Sequence, residues 1–352
     1  MSDGKKTRPL IVPLFLPNQG CPYRCVYCRQ ERITGRGETP LSPEGVEETL
    51  RAAVASAGFD AGRSPEIAFY GGTFTGLPRD VMEGLLAAAY PWVIGGPFHT
   101  VRVSTRPDAL DGERLALLKR YGVSTVELGV QSMDDEVLRR SKRGYASRDV
   151  RRAVDLLRRS GLRVGVQLMP GLPADSEERF LETVDRCLDL RPDLVRLYPA
   201  LVLEGTLLAA WFREGRYRPF DLNEAVTCCA EACSRFESRG VPVVRMGLLA
   251  PAELLEEGGV LAGPWHPAFG FLVRSAMYRR MIGRLLPERV DGRALRIAVH
   301  PREVPLVRGY RNRGLREIQE KTGACSLEVV PDESRASGAP KVEAACAPVG
   351  RA

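Results

Sequence analysis

The chain has 352 residues, 44% of them hydrophobic, enough to bury the core of one large domain and a small appended one. No apolar run reaches the ~20 residues that a membrane-spanning helix needs, so we expect no membrane segment. The polar N-terminus lacks the apolar stretch of a secretory signal, and we expect a cytoplasmic protein. The formal net charge of +7 suits a polyanionic partner such as RNA, or reflects an Arg-rich composition alone.

Strand-like and helix-like segments alternate along the first 200 residues. The first long helix is marked by Ser42 as its N-cap and by Pro43 at its first position. The predicted strands are 9–16, 66–70, 100–104, 125–130, 162–168 and 194–198, and the predicted helices are 43–57, 78–89, 111–121, 134–141, 147–160 and 176–190. This alternation predicts six parallel βα units joined by right-handed crossovers, in an open sheet or in a curved partial barrel.

The pattern changes after Pro199. Residues 201–285 are predicted to be mainly helical, and residues 294–331 read as a compact βααβ unit. From Asp332 onwards the residues are small and polar, which is typical of a disordered tail. The expected divisions are therefore 1–200 for the α/β domain, 201–290 for a helical extension, 291–333 for the small α+β unit and 334–352 for the tail.

Three cysteines follow the first predicted strand with the spacing CxxxCxxC: Cys21, Cys25 and Cys28. Three thiolates on one short loop can bind three irons of a [4Fe–4S] cluster and leave the fourth iron open. A zinc site is the alternative, but no fourth His or Cys follows at the spacing that zinc sites use. The pattern therefore favours an iron–sulfur cluster.

A second group of cysteines occurs at Cys228, Cys229 and Cys233. In a reducing compartment such a group is more typical of metal chemistry than of disulfides. It could hold a second cluster, or the three thiols could lie on the buried face of a helix. The sequence leaves both alternatives open.

CxxxCxxC after the first strand of a βα series resembles the signature of the radical S-adenosylmethionine (SAM) superfamily, and Tyr27 before the third cysteine fits the same pattern. The resemblance implies a partial (βα)6 barrel, which favours the curved sheet over the open one. It also implies a [4Fe–4S] cluster on Cys21, Cys25 and Cys28, and SAM as the second cofactor. The implied activity is reductive cleavage of SAM to a 5′-deoxyadenosyl radical, fed by a low-potential electron donor of the flavodoxin or ferredoxin type.

Segments after the second to fifth strands resemble the SAM-binding segments of that superfamily. Gly71, Gly72 and Thr73 correspond to the glycine motif that meets the SAM amino group, and two glycines allow the close approach of a ligand. Arg143 corresponds to the basic residue that pairs with the SAM carboxylate. The further SAM contacts that the resemblance implies are Ser104, Arg106, Gln131, Met169 and Pro170. An ordinary loop role is the alternative for each of them.

Within the superfamily, the segments 71–75, 105–108 and 195–225 are similar to the catalytic subunit of Elongator and its short bacterial relatives. That subunit has a longer cysteine spacing and an acetyltransferase domain, for which we expect no room after residue 230. We therefore do not carry over its carboxymethylation of wobble uridine. The expected function is radical modification of RNA, with tRNA as the favoured substrate. The alternative is a small metabolite, with the C-terminal unit as a structural lid.

Residues 306–330 are similar to the core of a KH RNA-binding module, with a GxxG-type loop, a helix and a strand in succession. Asn312 replaces the last glycine of that loop and tolerates left-handed backbone. The expected RNA contacts are Gly309, Arg311, Asn312 and Arg313, and Arg308 and Arg316 add phosphate-binding charge. The alternative is a small structural cap with a solvated basic helix.

Overall fold

The computed structural model describes residues 9–34, 40–248, 254, 258–290 and 292–345. The chain divides into two compact units, which we call the barrel unit (Met1–Leu222 and Arg235–Trp265) and the C-terminal unit (Asn223–Ser234 and His266–Ala352). The boundary at Leu222 lies beyond the position near residue 200 expected from sequence. The reason is that Leu208 and Ala209 pack in one buried cluster with Cys25 and Val26 of the barrel unit.

The barrel unit is built on one parallel sheet. Its strands are β1 (Ile11–Leu16), β2 (Glu66–Gly71), β3 (Thr100–Thr105), β4 (Val123–Gln131), β5 (Arg163–Leu168), β6 (Leu194–Leu197) and β8 (Val243–Met246). They lie in the order β1-β2-β3-β4-β5-β6-β8, and every neighbouring pair is parallel. This confirms the α/β fold class and the partial radical SAM barrel expected from sequence.

Six helices lie at the positions that the sequence pattern predicts: α2 (Pro43–Ala55), α3 (Arg79–Ala89), α5 (Gly112–Arg120), α6 (Asp135–Arg140), α7 (Ser147–Arg159) and α8 (Glu177–Asp189). Two short helices were not predicted, α1 (Gln30–Ile33) and α4 (Pro91–Ile94), and α9 (Leu207–Arg213) and α10 (Leu222–Ser238) lie in the segment predicted to be mainly helical. Ser42 caps α2 as predicted, because its hydroxyl accepts a hydrogen bond from the Gly45 amide at 3.2 Å.

The sheet has one strand more than the six predicted. Strand β8 pairs with β6, with Val243 opposite Val195, and a short antiparallel ladder joins β7 (Val202–Leu203) to β9 (Val260–Ala262). The prediction that residues 201–285 are mainly helical was therefore wrong for these three strands. They are two to four residues long, too short for strand periodicity to register.

The central residues of the sheet are buried on both faces, as in Leu14, Phe69 and Val166. Because all its strands run parallel, the loops that follow their carboxyl ends meet at one edge of the sheet. The cysteine loop after β1 and the glycine loop after β2 both lie at that edge. Among the described helices, none is long and apolar enough to cross a membrane.

The C-terminal unit contains α11 (Phe269–Gly283), β10 (Ala294–Val299), α12 (Val304–Arg308), α13 (Arg313–Thr322), β11 (Ser326–Pro331) and β12 (Lys341–Ala345). The predicted βααβ order is present, with β10 parallel to β11 and antiparallel to β12. Strand β12 contradicts the disordered tail predicted for 334–352 as far as Ala345, because Val342 pairs with Ile297 and packs on the core of the unit; the rest of that tail lies outside the described residues. The strand was not predicted because its five residues lie within a small, polar segment.

Candidate active site

The cysteine loop leaves the end of β1 and is held by backbone hydrogen bonds on two sides. The Val26 amide donates to the Ser141 carbonyl at 3.3 Å, and the Leu208 amide donates to the Val26 carbonyl at 2.8 Å. Cys25 is buried, whereas Cys21 and Cys28 are half-buried. The loop therefore presents two thiols at the edge of the protein and one within it.

Each thiol has its own neighbour. Cys21 Sγ lies 3.2 Å from Thr73 Oγ1, Cys25 Sγ accepts a hydrogen bond from Arg143 Nη1 at 2.9 Å, and Cys28 Sγ lies 3.8 Å from an Asn18 oxygen. Among the described residues, no three His, Cys, Asp or Glu side chains converge as ligands of a metal ion.

The residues around the loop fit an acceptor-rich cofactor. Two buried polar atoms, Gln19 Nε2 and Ser141 Oγ, have no hydrogen-bond partner among the described residues. Gln19 lies two residues before Cys21, and the Ser141 carbonyl holds Val26. A buried donor without an acceptor costs about 1–3 kcal/mol, which the inorganic sulfides of a cluster or the carboxylate of SAM would offset. Three thiols on one loop are also the donor set that a three-cysteine [4Fe–4S] cluster uses.

Arg143 is buried against the cysteine loop. Its Nε donates to Tyr145 at 2.9 Å, its Nη1 to Cys25 at 2.9 Å and to Tyr27 at 3.1 Å, and its Nη2 to the Gly129 carbonyl at 2.8 Å. Burial works against its charge, but Tyr145, Tyr27 and Cys25 outweigh that effect and hold the pKa of Arg143 well above its ordinary value. A guanidinium has five N–H groups, so one remains for a further acceptor such as the SAM carboxylate.

The glycine loop after β2 lies directly against the residues that precede Cys21. The Gly72 amide donates to Leu16 at 2.8 Å, and the Thr73 amide donates to Gln19 at 2.7 Å. A Cβ atom on Gly72 would lie 2.0 Å from the Gln19 carbonyl oxygen, so no larger residue fits there. Glycine at this position is therefore needed for the approach of two loops, and the contact of Gly71 and Gly72 with SAM stays a prediction.

Arg106 and Tyr23 clamp the first half of the cysteine loop. Arg106 Nη2 donates to the Tyr23 hydroxyl at 2.6 Å, and that hydroxyl donates to the Arg143 carbonyl at 2.7 Å. Gly144, at φ 73°, provides the space for Tyr23, since a Cβ atom there would lie 1.4 Å from the hydroxyl oxygen. The sequence carries no signal for Tyr23, because nothing in CxxxCxxC spacing marks the second intervening residue.

Gln131 and Met169 join the same site from the ends of β4 and β5. The Met169 amide donates to the Gln131 carbonyl at 2.9 Å, and Met169 packs on the buried cluster that includes Cys25 and Tyr27. Gln131 has φ 67°, an unusual conformation for a residue other than glycine. Such strain persists where surrounding structure enforces it, often at functional sites.

The other two predicted contacts lie beside this group. The Pro170 carbonyl accepts a hydrogen bond from the Ala200 amide at 2.9 Å. Ser104 is half-buried in β3, opposite Glu127 in the sheet register. The structure thus brings the cysteine loop together with Thr73, Arg106, Gln131, Arg143 and Met169, and the roles of all these residues toward SAM stay predictions.

A buried network of charges crosses the sheet. Arg102 of β3 donates to Glu66 at 2.6 Å and to Glu127 of β4 at 2.9 Å, and Arg196 of β6 donates to Glu127 at 2.7 Å. Burial alone would raise the pKa of Glu127, but Arg196 and Arg102 lower it below its usual range. The signal for this network was a charge in the middle of an apolar strand, as in Val-Arg-Val and Val-Glu-Leu.

Cys228, Cys229 and Cys233 lie fully buried in α10. Burial raises the pKa of Cys229 well above its usual value, and the two neighbouring cysteines act in the same direction. Their burial on a helix is what the buried-face alternative expects. A second cluster on these thiols stays the other alternative.

Comparison with known proteins points to the same superfamily as the spacing of the three cysteines does. The chain matches the sequence profile of the Radical SAM superfamily over residues 15–187 and that of the Radical SAM C-terminal domain over residues 192–279. Together the two profiles run from the end of β1 to α11, with a gap of four residues between them.

Curated relatives are similar to this chain over part of their length. A tRNA uridine(34) acetyltransferase of Dehalococcoides mccartyi is 30% identical over 231 residues, 57% of this chain and 50% of that protein. Human Elongator complex protein 3 is 30% identical over 184 residues, 46% of this chain and 34% of that protein. The chain thus spans half or less of these relatives, which confirm the Elongator-like resemblance.

A solved structure shows the same fold. The Elp3 protein of the archaeon Methanocaldococcus infernus, with its N-terminus deleted, superposes with a TM-score of 0.63 at 24% identity, over 80% of this chain and 64% of that one. The cysteine loop, the partial barrel and the two matched profiles agree with one another. The chain belongs to the radical SAM superfamily and is a radical SAM enzyme, whose cofactors are a [4Fe–4S] cluster and SAM.

Proposed function

We propose that Cys21, Cys25 and Cys28 hold the cluster and that the residues at the carboxyl ends of β2 to β5 hold SAM. The observation that carries this assignment is the contact of Cys25 with the buried Arg143 guanidinium, on a loop flanked by Gln19 and hydrogen-bonded to Ser141, each of which has a buried polar atom without a partner among the described residues. When bound and reduced by one electron, the cluster and SAM supply methionine and a 5′-deoxyadenosyl radical, which takes a hydrogen atom from the substrate. The proposed SAM-binding residues are Gly71, Gly72, Thr73, Ser104, Arg106, Gln131, Arg143, Met169 and Pro170.

The residues of the chain position the loop. Arg143 fixes the position of Cys25 through the hydrogen bond from its guanidinium to Sγ. Tyr23 and Arg106 fix the loop on the side of Cys21. We assign two donors to the cofactors: the remaining N–H of Arg143 and the side-chain Nε2 of Gln19.

We propose RNA, and specifically tRNA, as the substrate. Support comes from the tRNA uridine(34) acetyltransferases, whose similarity covers 231 residues in the D. mccartyi protein, and from the net charge of +7. The reaction of those proteins is not assigned to this chain, because the chain spans half of their length. A tRNA substrate also agrees with a cytoplasmic location.

A basic cavity beside the cysteine loop suits an acidic electron donor. Its volume is about 720 Å³, and its lining includes Arg24, Arg139, Lys142 and Arg148. The two carboxylates in its wall, Asp135 and Asp149, already accept backbone amides at 2.6 and 2.9 Å. We propose that a low-potential flavodoxin or ferredoxin docks on this face, since complementary charge accelerates encounter between proteins.

The substrate assignment is tested by mass spectrometry of nucleosides. Reconstituted protein is incubated without oxygen with SAM, dithionite and total tRNA, and the tRNA is then digested. We expect a nucleoside of altered mass and faster release of 5′-deoxyadenosine when tRNA is present. If tRNA changes neither quantity while 5′-deoxyadenosine is still formed slowly, the substrate is not tRNA, and a small metabolite becomes the better candidate.

A further inference from the structure

The segment that follows β5 turns sharply before it enters α8. Gly171 lies at φ 81° and Ala174 at φ 68°, and left-handed backbone is unfavourable for alanine. The turn directly follows Met169 and Pro170, the two proposed SAM contacts at the end of β5. Contacts from outside the turn must therefore fix its shape.

Asp175 contacts the turn with both oxygens of its carboxyl group. Oδ2 accepts a hydrogen bond from the Gly171 amide at 2.9 Å, and Oδ1 accepts one from the Ser176 amide at 3.0 Å. The Asp175 amide in turn donates to the Leu172 carbonyl at 2.9 Å. Because Ser176 is the N-cap of α8, the carboxyl group joins the start of the turn to the start of the helix.

Two aromatic residues from the segment after α9 contact Gly171 as well. The Tyr217 hydroxyl donates to the Gly171 carbonyl at 2.5 Å, and a Cβ atom on Gly171 would lie 3.2 Å from the Phe220 ring. Tyr217 and Leu172 also pack in the buried cluster that contains Cys25. The position of the turn is therefore linked to the packing around the cysteine loop.

The surroundings of Asp175 bring its ionisation into the neutral pH range. Within the described part of the chain, the charged or titratable groups that face it are Asp134 at the start of α6, Arg179 in α8 and Tyr217. Burial raises the pKa of Asp175 to about 7; the two backbone amides and Arg179 lower it, and Asp134 raises it. Burial and the Asp175 carboxylate also raise the pKa of Tyr217, so its phenol stays neutral.

A protonated carboxyl group cannot accept both amides equally well. The ionised group accepts on each oxygen, whereas the neutral acid carries a hydrogen on one of them. Hydrogen bonds to an ionised acceptor are also stronger than those to a neutral one. Protonation of Asp175 therefore weakens its bond to Gly171 or its bond to Ser176, and the turn is fixed most firmly when the group is ionised.

We propose that Asp175 is a positioning residue, which fixes Met169 and Pro170 in their SAM-facing geometry while its carboxyl group is ionised. It acts through the Gly171 amide, one residue beyond Pro170, and not by contact with SAM. This role rests on the proposed function, since it requires SAM at the carboxyl ends of β2 to β5. SAM affinity should therefore fall as the pH is lowered through neutrality, because protonation loosens the turn.

The first test measures SAM affinity against pH. Reconstituted full-length protein, not reduced, is equilibrated with SAM by dialysis without oxygen between about pH 6 and pH 8.5, a range that spans the titration of Asp175. The variant Asp175→Asn keeps the size of the side chain but has one acceptor oxygen and no charge at any pH. Its control is Asp189→Asn, which removes an exposed carboxylate at the other end of α8. Each variant is compared with the unmodified protein at the same pH, so that titration of SAM itself cancels.

At about pH 8.5 we expect Asp175→Asn to bind SAM about tenfold more weakly than the unmodified protein, as for the loss of one hydrogen bond to a charged group. At about pH 6 the two proteins should differ by less than about twofold, because most Asp175 is then protonated. The control should match the unmodified protein throughout. Tyr217→Phe should weaken binding by the same factor at every pH, since the hydroxyl that it removes stays neutral in this range.

The second test measures hydrogen exchange of the turn without SAM. Exchange of the peptide covering residues 168–176 is followed by mass spectrometry, with labelling times scaled for the intrinsic effect of pH on exchange. In the unmodified protein the turn should lose protection as the pH is lowered from about 8.5 to about 6. In Asp175→Asn the turn should be poorly protected at both pH values, and Asp189→Asn should behave as the unmodified protein does.

The proposal is overturned if Asp175→Asn binds SAM as tightly as the unmodified protein at about pH 8.5, or if the ratio of their affinities does not change with pH. If the unmodified protein binds no SAM at any pH, the proposed function fails, and hydrogen exchange alone decides the role of Asp175. Equal protection of the turn in both proteins would then overturn that role, whereas pH-dependent protection in the unmodified protein alone would support it.

Discussion

Arg143 Nη1 lies 2.9 Å from Sγ of Cys25, the middle cysteine of the loop. The same guanidinium reaches Tyr27 and Tyr145 as well as the end of β4. A residue that the family resemblance assigns to SAM thus also supports the cysteine loop. The two roles are separable by experiment, because one affects cluster retention and the other affects only SAM affinity.

We expect Arg143→Ala to lower both iron content and stability. Truncation removes the hydrogen bonds that Arg143 donates to Tyr145, Tyr27 and Cys25 in a buried site, and a buried group left without its partner costs about 1–3 kcal/mol. Iron per protein after reconstitution should fall by at least half. Arg148→Ala, at an exposed position, is the control and should retain its iron. Full iron with weakened SAM binding would show that Arg143 serves SAM alone.

We expect Gly144→Ala to disturb the cysteine loop, because the added Cβ would lie 1.4 Å from the Tyr23 hydroxyl. Gly161→Ala is a matched control: its φ of 74° resembles the 73° of Gly144, and nothing lies within 4 Å of the added atom. In both variants the free energy of unfolding should fall by about 1 kcal/mol because of backbone strain. Only Gly144→Ala should lose its cluster faster in the presence of a chelator; equal rates would contradict the clamp.

We expect Glu127→Gln to destabilise the barrel unit strongly, because it leaves Arg102 and Arg196 near each other with one buried carboxylate fewer. Breaking a buried ion pair in this way costs about 3–5 kcal/mol, measured as the free energy of unfolding in urea. Glu47→Gln removes an exposed partner that lies 3.8 Å from Arg51 and should change stability by less than about 0.5 kcal/mol. Similar losses in the two variants would argue against the network.

The same network predicts how stability depends on pH. The pKa of Glu127 is lowered in the folded state, so its contribution is present above the pKa of the unfolded chain and is lost as pH falls through the folded value. The unmodified protein should therefore lose more stability than Glu127→Gln does when the pH is lowered below about 4.3, the ordinary pKa of glutamate. If the free energy of unfolding falls equally in the two proteins as the pH is lowered, the lowered pKa of Glu127 is contradicted.

We expect Arg139→Gln/Arg148→Gln, on the wall of the basic cavity, to slow 5′-deoxyadenosine release when reduced flavodoxin is the donor. Loss of two rim charges should reduce the rate several-fold at low salt and less at high salt. Dithionite is small and should drive both proteins equally. Arg51→Gln/Arg79→Gln, on exposed parts of α2 and α3, is the control. If reduced flavodoxin drives 5′-deoxyadenosine release at the same rate in the unmodified protein, the cavity variant and the control, the donor docks elsewhere.

Sequence periodicity predicted the main strands of the barrel and the helices between them, because long amphipathic and apolar segments carry a strong pattern. It missed β8 because a strand of four residues carries almost no periodic pattern. It also missed β12, whose pairing with β10 is a tertiary interaction within a polar segment.

The spacing of Cys21, Cys25 and Cys28 predicts a cluster-binding loop from sequence alone. The partners of the loop could not be predicted in this way. Tyr23 and Gln19 become important only because β1, β2 and β4 end at the same edge of the sheet, and no local pattern records which side chains meet there. Glu127 was visible as a charge within a strand, but its two arginine partners follow from the order of strands in the sheet.

The most direct test of the central claim is the release of 5′-deoxyadenosine from SAM. Reconstituted protein is incubated with SAM and dithionite without oxygen, and the product is quantified by chromatography beside the triple variant Cys21→Ala/Cys25→Ala/Cys28→Ala. The variant Cys228→Ala/Cys233→Ala controls for the loss of buried thiols elsewhere. We predict product from the unmodified protein and from the control, and none from the triple variant. Product from the triple variant at the unmodified rate, or none from the unmodified protein, would contradict the assignment.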